Sequence, residues 1–190
     1  MKIGLISDTH GYVDAWNKAL ALFGEIDFAI HTGDILSSGP FNPRLESYQP
    51  AELAKAMNVA PFPILFARGN CDAEIDAQVL NHPIQSPYAF TLVDGLRMLA
   101  THGHLHSEEE LAELGRRYRL HLIVRGHTHI KGIQKVGDIY LVNPGSAALP
   151  KDETGVPTAG LLEGVGDGFS LEIISLEDGT VIDRADIALA

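Results

Sequence analysis

Apolar residues in this chain gather in short runs separated by polar, glycine-rich segments. Ile3–Ile6, Phe28–Ile30, Pro63–Phe66, Met98–Ala100 and Leu120–Val124 are each of strand length. Continuous apolar runs of this kind predict strands buried on both faces. Between them, Val13–Phe23 sets Ala15, Trp16, Ala19, Leu20, Leu22 and Phe23 at helical spacing. Ala51–Met57 follows Pro50, and proline suits the first turn of a helix. Glu108–Tyr118 follows Ser107 with Glu110 three residues on, the pattern of a capping box. Strands alternating with helices predict an α/β chain whose sheet is at least partly parallel. The last third changes character. Ile133–Val136 and Ile139–Val142 flank Gly137-Asp138 as a tight hairpin. Ala159–Glu163 and Phe169–Ser175 form a second hairpin around residues 164–168, and Thr180–Asp186 offers one more strand. A β-rich half packing on the first sheet is expected. Leu36–Pro50 is a long irregular loop, suited to capping a site or making a subunit contact.

Composition narrows the class. A chain of 190 residues, 45% of them apolar, has the material for one domain spanning residues 1–190. The net charge of -11 comes without a basic stripe, which argues against a standing nucleic-acid partner. The one cysteine, Cys71, leaves no internal disulfide framework and suits a reducing compartment. No apolar run approaches the roughly 20 residues needed to span a bilayer. A cytoplasmic protein without a membrane partner is expected, and a homo-oligomer, dimer or tetramer, suits a small acidic domain with an apolar loop.

The chemistry collects where the strands end. The runs are followed by Ser7-Asp8-Thr9-His10, Thr32-Gly33-Asp34, Arg68-Gly69-Asn70-Cys71-Asp72, Thr101-His102-Gly103-His104 and Gly126-His127-Thr128-His129. Ligands of open α/β sheets bind beyond the carboxyl ends of strands, so these segments deliver metal-ligand residue types to one rim. Gly33, Gly69, Gly103 and Gly126 sit beside them and permit the close approach a crowded ion site needs.

Asp-x-His, Gly-Asp, Gly-Asn-x-Asp, His-Gly and Gly-His-x-His, in this order over Lys2 to about Ser146, resemble the calcineurin-like metallophosphoesterase superfamily. The Gly-Asn-Cys-Asp segment, the Gly39-Pro40 loop after Asp34 and Asn143-Pro144-Gly145-Ser146 are similar to the small bacterial YfcE-type phosphodiesterases. The resemblance implies a four-layer αββα sandwich, two mixed β-sheets flanked by helices. It implies two divalent ions, one taking Asp8, His10 and His129, the other Asn70, His102 and His127, with Asp34 bridging both. Manganese comes first by resemblance, and mixed imidazole and carboxylate ligation admits Zn, Fe, Co or Ni before Mg or Ca. The implied reaction is metal-dependent hydrolysis of a small phosphodiester by a hydroxide bridging the ions. Asp34 and Asn70 would serve catalysis as well as ligation, joined by Cys71 and His104 at the same rim.

Cys71 departs from the superfamily, many of whose members carry histidine after the Gly-Asn to protonate the leaving group. A thiol beside two cations is expected to have a lowered pKa and to donate protons poorly, favouring diesters over alkyl monoesters. Asp72 is expected to hold a histidine or a backbone group in place. Arg68 is read as a structural ion pair or a phosphate contact. His31, His82, His106 and His121 are read as structural or surface residues. The rivals are a scaffold that keeps the fold without the reaction, as in the phosphoesterase-like subunit of the retromer coat, and a monoesterase of the same superfamily.

Overall fold

The computed structural model describes residues 1–189. Two mixed sheets lie face to face with helices outside them. The first contains β1 (Lys2–Ile6), β2 (Phe28–His31), β3 (Ile64–Ala67), β4 (Ile84–Gln85), β10 (Thr158–Val165), β11 (Gly168–Ser175) and β12 (Val181–Ala188), in the order β12-β11-β10-β1-β2-β3-β4. The second runs β5 (Ala89–Val93), β6 (Leu96–Ala100), β7 (Leu122–Val124), β9 (Ile139–Asn143), β8 (Gly132–Val136). In the first sheet β1 to β4 are parallel and β10 to β12 antiparallel; in the second, β6, β7 and β9 are parallel with antiparallel edges.

The apolar runs explain the layering. Along β1, Ile3 and Leu5 enter the core between the sheets, while Ile6 faces the helices α1 (Val13–Phe23) and α2 (Pro50–Asn58). Gly4 shares that outer face because a Cβ there would stand 2.6 Å from the Phe23 ring. Leu96, Met98, Leu122 and Val124 join the central core; Leu99 and Ile123 instead pack with Leu111 of α4 (Glu108–Tyr118). Helix α4 carries the capping box: Ser107 Oγ accepts from Glu110 N, and Glu110 accepts from Ser107 N at 2.8 Å.

The expected split into an α/β half and a packed β-rich half is corrected by the sheet order. Strands β10 to β12 extend the first sheet, and β6 and β7 belong with the β8–β9 hairpin in the second. Burial on both faces marks a strand as central without naming its neighbour. The site rim is therefore built from the strand ends of two sheets. The short helix α3 (Asp76–Val79) and strands β4 and β5 are additions to the expected elements.

Candidate metal centre

The loops after β1, β2, β3, β6 and β7 converge at one end of the sandwich. Asp8, His10 and His102 are fully buried, while Asp34 and His129 are nearly so. Asp8, Asp34, His10, His127 and His129 all adopt positive φ, between 46° and 69°. Left-handed backbone costs a non-glycine residue roughly 1–2 kcal/mol. Five such residues at one spot mean that the surrounding structure holds them there. The holding bonds are visible. Asp8 N donates to Gly33 O at 3.1 Å, His10 N to Asp34 O at 2.9 Å and Gly11 N to Ile35 O at 2.8 Å. Glycine permits the crowding: a Cβ on Gly33 would meet Gly69 N at 2.4 Å, and one on Gly126 would meet Ser7 Oγ at 1.9 Å.

Three rings have their tautomers set from behind. His10 Nδ1 lies 2.8 Å from Ser37 O, His102 Nδ1 2.8 Å from Thr32 O, and His129 Nδ1 2.5 Å from Leu149 O. A carbonyl oxygen only accepts, so each Nδ1 carries the proton and each neutral ring turns its Nε2 lone pair inward. His10 Nε2 and His129 Nε2 then face each other at 3.1 Å. Asp8 Oδ1 stands 3.7 and 3.2 Å from them, a buried oxygen with no hydrogen-bond partner. Acceptors facing acceptors call for a cation between them. Asp8, His10 and His129 form a group whose donor atoms all lie within 4.8 Å of one another, and so do Asp8, Asp34 and His102. The residues fit a metal ion.

Asp34 looks both ways. Its Oδ2 lies 3.7 Å from His10 Nε2 and its Oδ1 3.4 Å from His102 Nε2. Asn70 Oδ1 completes the second side, 3.0 Å from His102 Nε2. His127 is exposed, its ring 5.1 Å from that of His102, and its backbone N–H donates to Asp8 Oδ2 at 3.1 Å. Exposed His104 stands next to both, 5.3 Å from His102 and 5.9 Å from His127 between ring centres.

Residues 1–165 match the family model of the calcineurin-like phosphoesterase superfamily domain. The chain belongs to this superfamily. It is 35% identical over 189 residues to the phosphodiesterase YfcE of Escherichia coli strain K12, covering 98% of each chain. It is 29% identical over 171 residues to the phosphodiesterase MJ0936 of Methanocaldococcus jannaschii, 86% of this chain and 93% of that one. The solved structure of Yfce, a phosphoesterase from E. coli, matches with a TM-score of 0.83 and 32% identity over the whole of both chains.

Electrostatics in this phosphoesterase site run toward positive charge. Burial alone would raise Asp34, yet the hydrogen bond and charge of His102 outweigh it and hold the carboxyl below its usual range. Asp8 is likewise held down against its burial, chiefly by His129 and His102. Burial lowers His10, which favours its neutral, lone-pair form. Burial acts the same way on His102, but Asp34 and Asp8 prevail and raise it. The paired carboxylates thus favour positive charge between them, where a metal ion would serve.

Cys71 joins His10 and Asp34 in a third group of close donor atoms. Burial first, then the charge and hydrogen bond of Asp34, push its thiol up to about 12; bound cations would act in the opposite direction. Arg68 turns away from the site, pairing with Glu74 at 2.8 Å and donating to Asp72 O at 3.2 Å. Buried His31 accepts from Gly33 N at 3.2 Å through Nδ1 and meets Thr9 Oγ1 at 2.9 Å through Nε2. Burial lowers its pKa to about 3, so it braces the floor as a neutral ring.

Asp72 holds backbone. Its carboxylate accepts from Asp34 N at 3.0 Å, Ile35 N at 2.7 Å and Gly69 N at 2.7 Å, tying the loop after β2 to the loop after β3. Burial raises it to about 6 against those three bonds, leaving it ionised at neutral pH. Asp72→Asn turns an NH2 group toward a backbone donor. It is expected to lower metal affinity and turnover about 10–100-fold and stability by roughly 1–3 kcal/mol. Manganese titration and chemical denaturation check this, and an unchanged affinity and rate refute it.

Residues that the motifs did not single out complete the frame. Ser146 Oγ donates to Asp8 O at 2.8 Å. Asn143 Nδ2 donates to Gly126 O at 3.0 Å and to Thr128 Oγ1 at 2.9 Å. Both belong to the Asn143–Ser146 segment quoted for the subgroup resemblance. Asn42 approaches from the 36–50 loop, its Nδ2 3.4 Å from His10 Nε2, and no sequence pattern marked it.

Proposed function

We propose that the chain hydrolyses small phosphodiesters with a pair of divalent cations. Asp8, His10 and His129 hold one; Asn70, His102 and His127 hold the other; Asp34 lies between. The observation that carries this reading is the two-sided placing of Asp34, one carboxylate oxygen toward His10 and the other toward His102. Relatives named phosphodiesterase along nearly the full chain support it.

A pair of divalent ions supplies a hydroxide nucleophile near neutral pH and neutralises charge developing on the phosphoryl oxygens. The chain does the rest. Asp8 and Asp34 contribute two negative charges, so two such ions leave a net positive site that attracts an anionic ester. The carbonyls behind His10, His102 and His129 orient the rings, and Asp72 fixes the turn carrying Asp34. Exposed His127 and His104 border the side from which substrate enters. Cys71 stands where many superfamily members carry histidine, and a thiol is a weaker general acid near neutral pH than an imidazolium. That favours diesters and activated esters. Imidazole and carboxylate donors favour Mn, Zn, Fe, Co or Ni over Mg or Ca, and the family resemblance makes manganese the first ion to supply.

The direct test compares an aryl phosphodiester with the matching aryl phosphomonoester, with and without added manganese. Manganese-dependent turnover that favours the diester about tenfold or more is expected. No metal-dependent turnover of either ester overturns the reading in favour of a scaffold, and a preference for the monoester overturns the substrate class. No helix among the described residues is long and apolar enough to cross a membrane.

A further inference from the structure

The 36–50 loop has neither helix nor strand between Ile35 and Pro50, yet the site pins it along its length. Ser37 O binds His10 Nδ1, Arg44 Nε donates to Ser38 Oγ at 3.1 Å, and Tyr12 OH donates to Pro43 O at 2.9 Å. Leu45 N donates back to that hydroxyl at 3.0 Å, and Gln49 N donates to Gly11 O at 2.8 Å. Gly39 packs so closely on Cys71 that a Cβ there would stand 2.7 Å from the thiol sulfur. Inside this fixed loop, between Pro40 and Pro43, sit Phe41 and Asn42. Phe41 is 97% exposed. The neighbouring Asn42 amide already reaches His10.

An aromatic ring held almost wholly in water by a proline-bracketed, hydrogen-bonded loop forgoes the roughly 1.5–3 kcal/mol that burying a Phe yields. Phe41 directly precedes Asn42, whose amide lies 3.4 Å from His10 Nε2, so the exposed ring is carried by the part of the loop that borders the cluster. From this placement we infer that Phe41 and Asn42 form a substrate subsite for a flat heteroaromatic group joined to the phosphate, as in a nucleoside phosphodiester. The inference rests on the phosphoesterase reading of the cluster. Phe41 offers a face on which any base stacks, which is tolerant of base identity. Asn42 offers a donor and an acceptor to the phosphate or a sugar hydroxyl. The substrate class is therefore set by an aromatic arm and not by a particular base.

The test uses the manganese-loaded full chain and two esters with the same p-nitrophenyl leaving group, one carrying thymidine and the other methyl. Phe41→Ala is expected to lower kcat/KM about tenfold more on the thymidine ester than on the methyl ester. Phe41→Trp is expected to keep the wild-type ratio. Calorimetric titration with thymidine 5′-monophosphate and with inorganic phosphate is a second readout that needs no turnover. The wild-type preference for the nucleotide over phosphate is expected to shrink about tenfold in Phe41→Ala. If neither ester is turned over, the phosphodiesterase reading fails, and the titration alone decides the stacking role. An unchanged ratio together with an unchanged binding preference overturns the inference. So does an unchanged ratio with a shift in oligomeric mass, which assigns Phe41 to an interface between copies.

Discussion

Asp34→Asn is expected to lower manganese-dependent turnover of an aryl phosphodiester on the order of 10³-fold while the chain stays folded. The substitution is nearly isosteric. The amide oxygen can still accept the 2.8 Å bond from Cys71 N, so the local backbone has no reason to move. What changes is charge. Asp8 and Asp34 are the carboxylates of the two buried Asp/His groups, so the variant halves the anionic charge available to any ion pair. It also sets an NH2 group toward either His10 or His102, whose Nε2 atoms now lie 3.7 and 3.4 Å from the two oxygens. Manganese affinity should therefore weaken by more than the roughly 10–100-fold typical of an outer supporting residue. Steady-state kinetics and a calorimetric metal titration check both parts. Turnover within about tenfold of the wild type would remove Asp34 from the centre of the reaction.

How much of this was legible beforehand differs by level. Helices α1 and α4 were readable to the residue, because an amphipathic face and the Ser107/Glu110 box leave little choice of register. Strand β5 was not, because Phe90 and Leu92 are exposed while small Ala89 is the buried residue. Its pattern thus contradicts burial instead of reporting it. Sheet membership was also hidden: β6 looks like any doubly buried run, and whether it lies beside β3 or β7 depends on pairings distant in sequence. In the site, the residue types at strand ends were enough to name Asp8, His10, Asp34, His102 and His129, which the fold brings together as close Asp/His groups. The positive φ angles of Asp8, Asp34 and three histidines were not readable, since nothing in Asp-x-His demands a left-handed backbone. They follow from hydrogen bonds between loops far apart in sequence, such as those Asp72 accepts. Asn42 was invisible for the same reason: its role depends on where a structureless loop is pinned.

Cys71→His is expected to raise turnover of an aryl or alkyl phosphomonoester about 100-fold, with a much smaller effect on the diester. The thiol is half-buried and beside Asp34, and burial first, then that carboxylate, raise its pKa. An imidazole in its place meets the same carboxylate charge with the opposite consequence, since an anion beside a histidine favours the protonated ring. The cation so formed is a proton donor matched to neutral pH, and a monoester with a poor leaving group gains most from one. Space sets the condition. Gly39 packs against the sulfur, so the larger ring must turn toward Asn70 and the open side or displace the loop. Cys71→Ala separates the two effects: it removes the thiol without supplying an acid and should leave the monoester-to-diester ratio where it was. A monoester rate that peaks in the neutral pH range and falls as the imidazole loses its proton identifies general-acid catalysis. If Cys71→His leaves both substrate range and pH profile unchanged, position 71 does not govern which esters the site can cleave.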